Sequence, residues 1–146
     1  MKALLIIDVE NETIAAYNPS IVDAINKAIV TFEGPIIYVK NIFKLRCGIK
    51  HHSLANDLMV VSDYIFEKEH ASAFTNRELG ELIASLKIKE ITIVGVDGNH
   101  CVKATAEDAV KMGIVTNIVI SLIDVKNKEL FKTTQANLSK LGIIFK

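Results

Sequence analysis

The chain has 146 residues, half of them hydrophobic, and its 17 basic and 17 acidic side chains cancel at neutral pH. This length suits one domain around one substantial core, and the balanced charge argues against nucleic acid or an anionic membrane surface as a partner. The longest apolar runs are the length of strands, far below the roughly 20 residues of a membrane span.

The first residues and the two cysteines bear on location. Met1–Ile7 is followed at once by Asp8, so this stretch lacks the length and cleavage site of a signal peptide. Without a secretion signal, Cys47 and Cys101 are expected to be free thiols in a reducing compartment. We therefore expect a cytoplasmic protein with a single domain over residues 1–146.

Short apolar runs alternate with amphipathic stretches along the chain. Continuous apolar runs predict buried strands near 3–7, 36–39, 63–67, 91–94, 115–120 and 143–145. Three-to-four spacing of apolar residues predicts helices near 20–32, 77–86, 102–112 and 128–141. This alternation predicts an α/β fold, a three-layer doubly wound sheet of about six parallel strands.

Residues 41–61 show neither period clearly. Ser53–Met59 is consistent with a short capped helix, and the remainder is interpreted as loop. Because long irregular segments in compact domains are usually functional or mobile, we expect this one to form a lid on the substrate side.

Three chemically versatile residues follow predicted strands. Asp8 ends the first strand, Lys68 follows the third, and Cys101 lies past the fourth where a helix begins. In doubly wound sheets, ligands bind beyond the carboxyl ends of the strands. A helix N-terminus favours thiolate, and a neighbouring Asp and Lys would activate the sulfur.

Each residue also has an ordinary explanation. Asp8 is compatible with capping a loop, Lys68 with a solvated surface and Cys101 with a small buried apolar side chain. Their coincidence at one edge of the sheet favours a nucleophilic site.

Three motifs carry a family resemblance: Leu4–Asn11, Lys68–Phe74 and Gly95–Val102. In this order they resemble the isochorismatase-like cysteine hydrolases, a superfamily that includes nicotinamidases, N-carbamoylsarcosine amidase and ureidoacrylate hydrolase. The resemblance implies strand order 3-2-1-4-5-6 and a catalytic triad of Asp8, Lys68 and Cys101.

The resemblance also implies a cis peptide between Val96 and Asp97 and an oxyanion hole that includes the backbone N–H of Cys101. Glu10 stands where the family usually has glutamine, and Asp97 and Gly98 replace a small residue and a threonine. The residues that we expect on the substrate side are Glu10, Asn11, Phe43, Phe74, Gly98 and His100.

Nicotinamidases of this family carry an Asp-x-His and a further His for a metal. This chain has only the adjacent His51 and His52 in that segment. Adjacent histidines are poor joint ligands unless the backbone bends, so we expect no metal and no cofactor.

The leading hypothesis is hydrolysis of a small amide or related C–N bond through a thioester on Cys101. One alternative is a vinyl ether hydrolase of the isochorismatase type, which relies on Asp8 as an acid and needs no cysteine. The other is a non-catalytic binding protein on the same fold, which Asp97 and Gly98 modestly favour. The expected partner is a small-molecule substrate, and the resemblance implies a homo-oligomer, a dimer or larger.

Overall fold

The computed structural model describes all 146 residues as alternating strands and helices around one sheet. In chain order the elements are β1 (Lys2–Ile7), α1 (Asn11–Ile14), α2 (Ser20–Thr31), β2 (Ile36–Leu45), β3 (Gly48–His51), β4 (Ile65–Lys68), α3 (Arg77–Ser85), β5 (Glu90–Val96), α4 (Cys101–Lys111), β6 (Val115–Asp124), α5 (Lys128–Lys140) and β7 (Ile144–Phe145). A 3-10 turn, Ala73–Thr75, precedes α3.

The sheet contains six parallel strands in the order β4-β2-β1-β5-β6-β7. In terms of the six predicted strands this is the order 3-2-1-4-5-6, so the predicted α/β fold and its topology are confirmed. The additional strand, β3, is antiparallel to β2 and was not predicted.

Both faces of the sheet are covered, which explains why its strands are apolar at successive positions. Leu5 and Ile7 point to a cluster shared with α3, α4 and α5. Leu4 and Ile6 point to a second cluster, to which α2 contributes its apolar stripe. None of the helices is long and apolar enough to cross a membrane.

The prediction for residues 41–61 is wrong in its secondary structure. β2 continues to Leu45 and forms a hairpin with β3, and Ser53–Met59 contains turns but no helix. The hairpin residues Phe43–Lys50 are exposed, so no burial period marks them as strands in the sequence. Gly48 follows the tight turn with φ of +132°, a conformation that favours glycine.

Candidate active site

Asp8 lies at the end of β1, where the chain leaves the sheet. Its φ is +54°, a left-handed conformation that Asp tolerates better than most residues. Its N–H still donates to the Val39 carbonyl of β2 at 3.0 Å. The residue is buried, so its carboxyl sits inside the edge of the sheet.

Gly95 allows β5 to pass close to this point. A Cβ atom on Gly95 would lie 2.0 Å from the carbonyl oxygen of Ile7, and its φ is +114°. Only glycine fits such a close backbone approach. The absence of a side chain therefore brings the turn that leads to Cys101 next to the end of β1.

Lys68, the last residue of β4, contacts the other two predicted residues, Asp8 and Cys101. Its side chain is fully buried. Its Nζ lies 2.7 Å from Asn41 Oδ1, 3.3 Å from Asp8 Oδ2 and 3.5 Å from Cys101 Sγ. The structure thus brings Asp8, Lys68 and Cys101 together around one ammonium group.

The motif after Lys68 ties β4 to the helix that carries Cys101. The N–H of Ala73 donates to the buried Thr105 hydroxyl of α4 at 3.0 Å. Ser72 Oγ accepts from the N–H of Phe74 and closes the 3-10 turn. These bonds fix the end of β4 against α4.

The turn between β5 and α4 is held by Asp97. The N–H of Asn99 donates to Asp97 Oδ1, and those of His100 and Val102 donate to the Asp97 carbonyl. The N–H groups of Asp97 and Cys101 take no part in these bonds. The peptide bond that enters the turn, Val96-Asp97, is cis.

The Asp97 side chain has a structural role that the sequence did not reveal. Its Oδ2 accepts from the Tyr17 hydroxyl at 3.0 Å and from the N–H of Lys126 at 3.1 Å. The carboxylate joins three segments of chain, and burial together with Asp97 raises the pKa of Tyr17.

Gly98 lies beneath the loop that follows β6. A Cβ atom there would lie 2.6 Å from Val125 Cγ1 and 3.1 Å from the Phe131 ring. The tight packing of this loop and α5 thus explains why a residue as small as glycine stands before Cys101.

Burial dominates the electrostatics of the thiol. Burial and, to a smaller extent, the negative charge of Asp8 together raise the pKa of Cys101 to about 12, against the opposing effect of Lys68. Desolvation therefore opposes the tendency of a helix N-terminus to favour the thiolate.

Burial also raises the pKa of Asp8, against the opposing effects of Lys68 and of the thiol. One carboxyl oxygen, Asp8 Oδ1, is buried without a hydrogen-bond partner. This oxygen is a free acceptor in a site that holds a protonated thiol.

A second buried carboxylate, that of Glu10, is linked to Lys68 through Asn41. Glu10 is 0% exposed, and its oxygens accept from Thr13 Oγ1 at 2.7 Å and from the N–H and Nδ2 of Asn41 at 2.9 and 2.7 Å. His52 Nδ1 lies 2.8 Å from Glu10 Oε1. Burial alone raises the pKa of Glu10, but these hydrogen bonds outweigh burial and lower it.

The sequence analysis missed Asn41 as a site residue. Asn41 stands at the carboxyl end of the predicted second strand, the same kind of position that singled out Asp8, Lys68 and Cys101. Applying that criterion to every strand would have found it.

The remaining substrate-side candidates occupy different surroundings. Asn11 is exposed and binds the Leu54–Asn56 segment. Phe43 is exposed on the hairpin, with its ring 5.0 Å from that of His52. Phe74 packs against the core, and His100 is exposed where α4 begins.

The two histidines bind different carboxylates, His51 that of Glu67 and His52 that of Glu10. No group of three or more His, Cys, Asp or Glu side chains is placed to hold a metal ion. His51 and His52 therefore face separate carboxylates and do not converge on one point.

A groove of about 310 Å³ opens beside Lys68. It is lined mainly by polar residues from β4 to the start of α3: Ile42, Glu67, Lys68, Glu69, His70, Thr75 and Asn76. Asp8 and Cys101 do not line it, so the groove adjoins the triad from the Lys68 side.

Comparison with known proteins agrees with the fold. Among solved structures, pyrazinamidase of Pyrococcus horikoshii in complex with zinc matches with a TM-score of 0.85 at 18% identity, covering 99% of this chain and 98% of the other. N-carbamoylsarcosine amidase from Thermoplasma acidophilum matches with a TM-score of 0.84 at 22% identity, covering 99% and 95%.

Sequence comparison identifies the family. The chain is 32% identical over 130 residues to the uncharacterized isochorismatase family protein YaaI of Bacillus subtilis, covering 74% of this chain and 72% of that protein. The family model described as the isochorismatase domain matches residues 2–129. The chain therefore belongs to the isochorismatase family of hydrolases.

Proposed function

We propose that this protein is a cysteine hydrolase that cleaves a small amide or related C–N bond through a thioester on Cys101. The observation that carries the proposal is the single buried Lys68 ammonium in contact with both Asp8 and Cys101, at 3.3 and 3.5 Å. A nucleophile, a base and a cation that balances their charge are the groups that acyl transfer through a thiol requires.

The first step is proton transfer from the Cys101 thiol to Asp8, as the sulfur attacks the substrate carbonyl. The raised pKa of Asp8 favours accepting this proton, and the raised pKa of Cys101 means that the thiol loses it only during attack. Because the proton moves from one group of the site to another, the net charge is unchanged, and Lys68 stays within reach of both groups.

The negative charge then develops on the carbonyl oxygen of the substrate. The N–H groups of Asp97 and Cys101, which have no acceptor in the turn, are our candidates for the oxyanion hole. Asp8 returns its proton to the departing amine and then takes a proton from water. That water hydrolyses the thioester and releases a carboxylic acid, while Asp8 passes its proton to the departing sulfur and so regenerates the thiol.

The two alternative functions considered from the sequence have less support. A vinyl ether hydrolase needs Asp8 as an acid but gives no role to a thiol in contact with Lys68. A non-catalytic protein was favoured by Asp97 and Gly98, and both residues are accounted for by packing and hydrogen bonds within the turn.

The surroundings suggest further features. We assign the β2–β3 hairpin to the substrate side of the site, since Phe43 contacts His52 there.

The exposed apolar side chains of Phe43, Leu45 and Ile49 on this hairpin are consistent with a homo-oligomer. Native mass spectrometry measures the oligomeric state. A cytoplasmic location suits a site that depends on a reduced thiol.

The test is a screen of small amides with intact-mass detection of adducts. The panel includes nicotinamide, pyrazinamide and N-carbamoylsarcosine, the amides after which structurally similar enzymes are named. We expect one member to give an acyl adduct on Cys101 and a carboxylic acid product, with Cys101→Ala giving neither. Full turnover by Cys101→Ala would rule out the covalent mechanism.

A further inference from the structure

Lys68 makes its shortest contact with a residue outside the triad. Its ammonium has three N–H donors, and the three polar atoms around it are Asn41 Oδ1, Asp8 Oδ2 and Cys101 Sγ. The 2.7 Å bond to Asn41 is shorter than the contacts with Asp8 and the thiol by 0.6 Å or more. Asn41 therefore contributes strongly to where the ammonium sits.

The Asn41 amide is oriented by its two neighbours. Lys68 can only donate, so it requires the amide oxygen, and ionised Glu10 can only accept, so it requires the amide nitrogen. The observed bonds, Lys68 Nζ to Asn41 Oδ1 and Asn41 Nδ2 to Glu10 Oε1, satisfy both requirements. A second bond, from the backbone N–H of Asn41 to Glu10 Oε2, fixes the strand at this point.

We propose that Glu10 and Asn41 are a positioning pair that holds the Lys68 ammonium between Asp8 and Cys101. The inference rests on the proposed function in that Cys101 is taken as the nucleophile. Neither residue touches the thiol directly in this role. They act through Lys68, whose charge stabilises the thiolate formed during attack.

The charged and titratable groups around the pair are few. Glu10 faces His52 from the segment after β3, and Asn41 faces Lys68 from β4. Asp8 at the end of β1 is close enough for the charge of Glu10 to raise its pKa. Removing the Asn41 amide leaves a buried Lys68 N–H without an acceptor, which weakens the placement of the ammonium beside the sulfur.

The experiment measures the alkylation of Cys101 by iodoacetamide between pH 7 and 10, with intact-mass detection. The exposed Cys47 is first replaced by Ser, so that Cys101 is the one remaining thiol. In this parent, Asn41→Leu is expected to slow alkylation about tenfold at fixed pH, because the apparent pKa of the thiol rises by about one unit. An unchanged rate in the folded variant would overturn the inference.

A charge-conserving swap tests the hydrogen-bond polarity. In Glu10→Gln with Asn41→Asp, the carboxylate moves next to Lys68 and the amide takes the place of Glu10, so donors and acceptors match again. Its rate is expected within about threefold of the parent, whereas each single variant leaves a mismatched pair and reacts more slowly. A swap no faster than the single variants overturns the inference. Because the swap conserves shape, it also decides the matter if Asn41→Leu does not fold.

Asn117→Leu is the matched control, because Asn117 Nδ2 also donates to a glutamate, Glu90, at 2.8 Å. Its alkylation rate is expected to equal that of the parent, and an equal slowing there would overturn the inference. An amide panel that leaves no adduct on Cys101, combined with slow alkylation of Asn41→Leu, would count against the proposed hydrolysis while supporting the positioning pair.

Discussion

The sheet has two Asn–Glu pairs, one at each end, and they differ in what the asparagine oxygen does. At the carboxyl end, Asn41 donates to Glu10 and accepts from Lys68. At the amino end, Asn117 donates to Glu90, but its Oδ1 is buried without a partner. The asparagine oxygen therefore contacts a cation at the carboxyl end only.

The Asn41–Glu10 pair therefore affects the chemistry of the site, whereas the Asn117–Glu90 pair affects stability alone. Glu90 is partly exposed and lies 3.9 Å from the exposed Lys2, so solvent screens its charge. Glu10 and Lys68 have fully buried side chains; both charges affect the pKa of Asp8, and that of Lys68 also affects the pKa of Cys101. Burial, more than residue type, decides which pair matters for the site.

Removing the Lys68 ammonium should abolish the difference between the two Asn–Glu pairs, and it should have the largest effect on stability. Lys68→Met leaves Asn41 Oδ1 unpartnered, like that of Asn117, and leaves the Asp8 carboxylate buried without its counter-ion. We expect a loss of about 3–5 kcal/mol in the free energy of unfolding at neutral pH. Urea unfolding at pH 7 and pH 5 measures it, and the loss should shrink at the lower pH as Asp8 takes up a proton.

The second prediction concerns the tight packing at the carboxyl end. Gly98→Ala places a methyl group 2.6 Å from Val125 Cγ1, so we expect a destabilisation of about 1–3 kcal/mol and slower alkylation of Cys101. Gly80→Ala is the control, since its Cβ meets only Met112 Cε at 3.8 Å. Within α3 this change should stabilise by about 0.5–1 kcal/mol. Thermal unfolding of the two variants checks the opposite signs.

The third prediction concerns the Asn117–Glu90 pair at the amino end of the sheet. Asn117→Leu breaks the bond to Glu90 but also removes a buried oxygen that has no partner, so the two effects largely offset. We expect a change of about 1 kcal/mol or less in the free energy of unfolding. A loss above about 3 kcal/mol in urea unfolding would show that the two pairs are energetically alike.

The smallest effect is a change in the acid dependence of stability. The pKa of Glu10 is lowered in the folded state, so its contribution is complete above its ordinary value near 4.5 and is lost as pH falls through the folded pKa. Asp8 has the opposite sign, because a raised pKa favours folding as the carboxyl protonates. Glu10→Gln should therefore flatten the loss of stability below about pH 4.5. A slope as steep as that of the parent would contradict the assignment.

The parallel sheet could be predicted because its strands are buried on both faces and are therefore continuous apolar runs. The β2–β3 hairpin could not, because main-chain pairing holds it while Phe43, Leu45 and Ile49 remain exposed. A strand without a buried face leaves no periodic signal in the sequence.

The proximity of Asp8, Lys68 and Cys101 could be predicted because each stands at, or a few residues after, the carboxyl end of an apolar strand. The role of Asp97 could not, because its partner Tyr17 is 80 positions away along the chain. Nor could the raised pKa of Cys101, since a helix N-terminus is visible in sequence whereas the degree of burial that raises this pKa is not.

The position of Asn41 gives the hairpin a consequence of its own. β2 pairs with β4 up to Asn41 and with β3 from Ile42 onward, so this residue lies where the strand changes partner. The carbonyl of Asn41 also accepts from the N–H of His52, at the base of the hairpin. The hairpin thus continues β2 directly from the residue that holds Lys68. Grafted or lengthened hairpins should retain reactivity at Cys101 as long as the junction at Asn41 and His52 is kept.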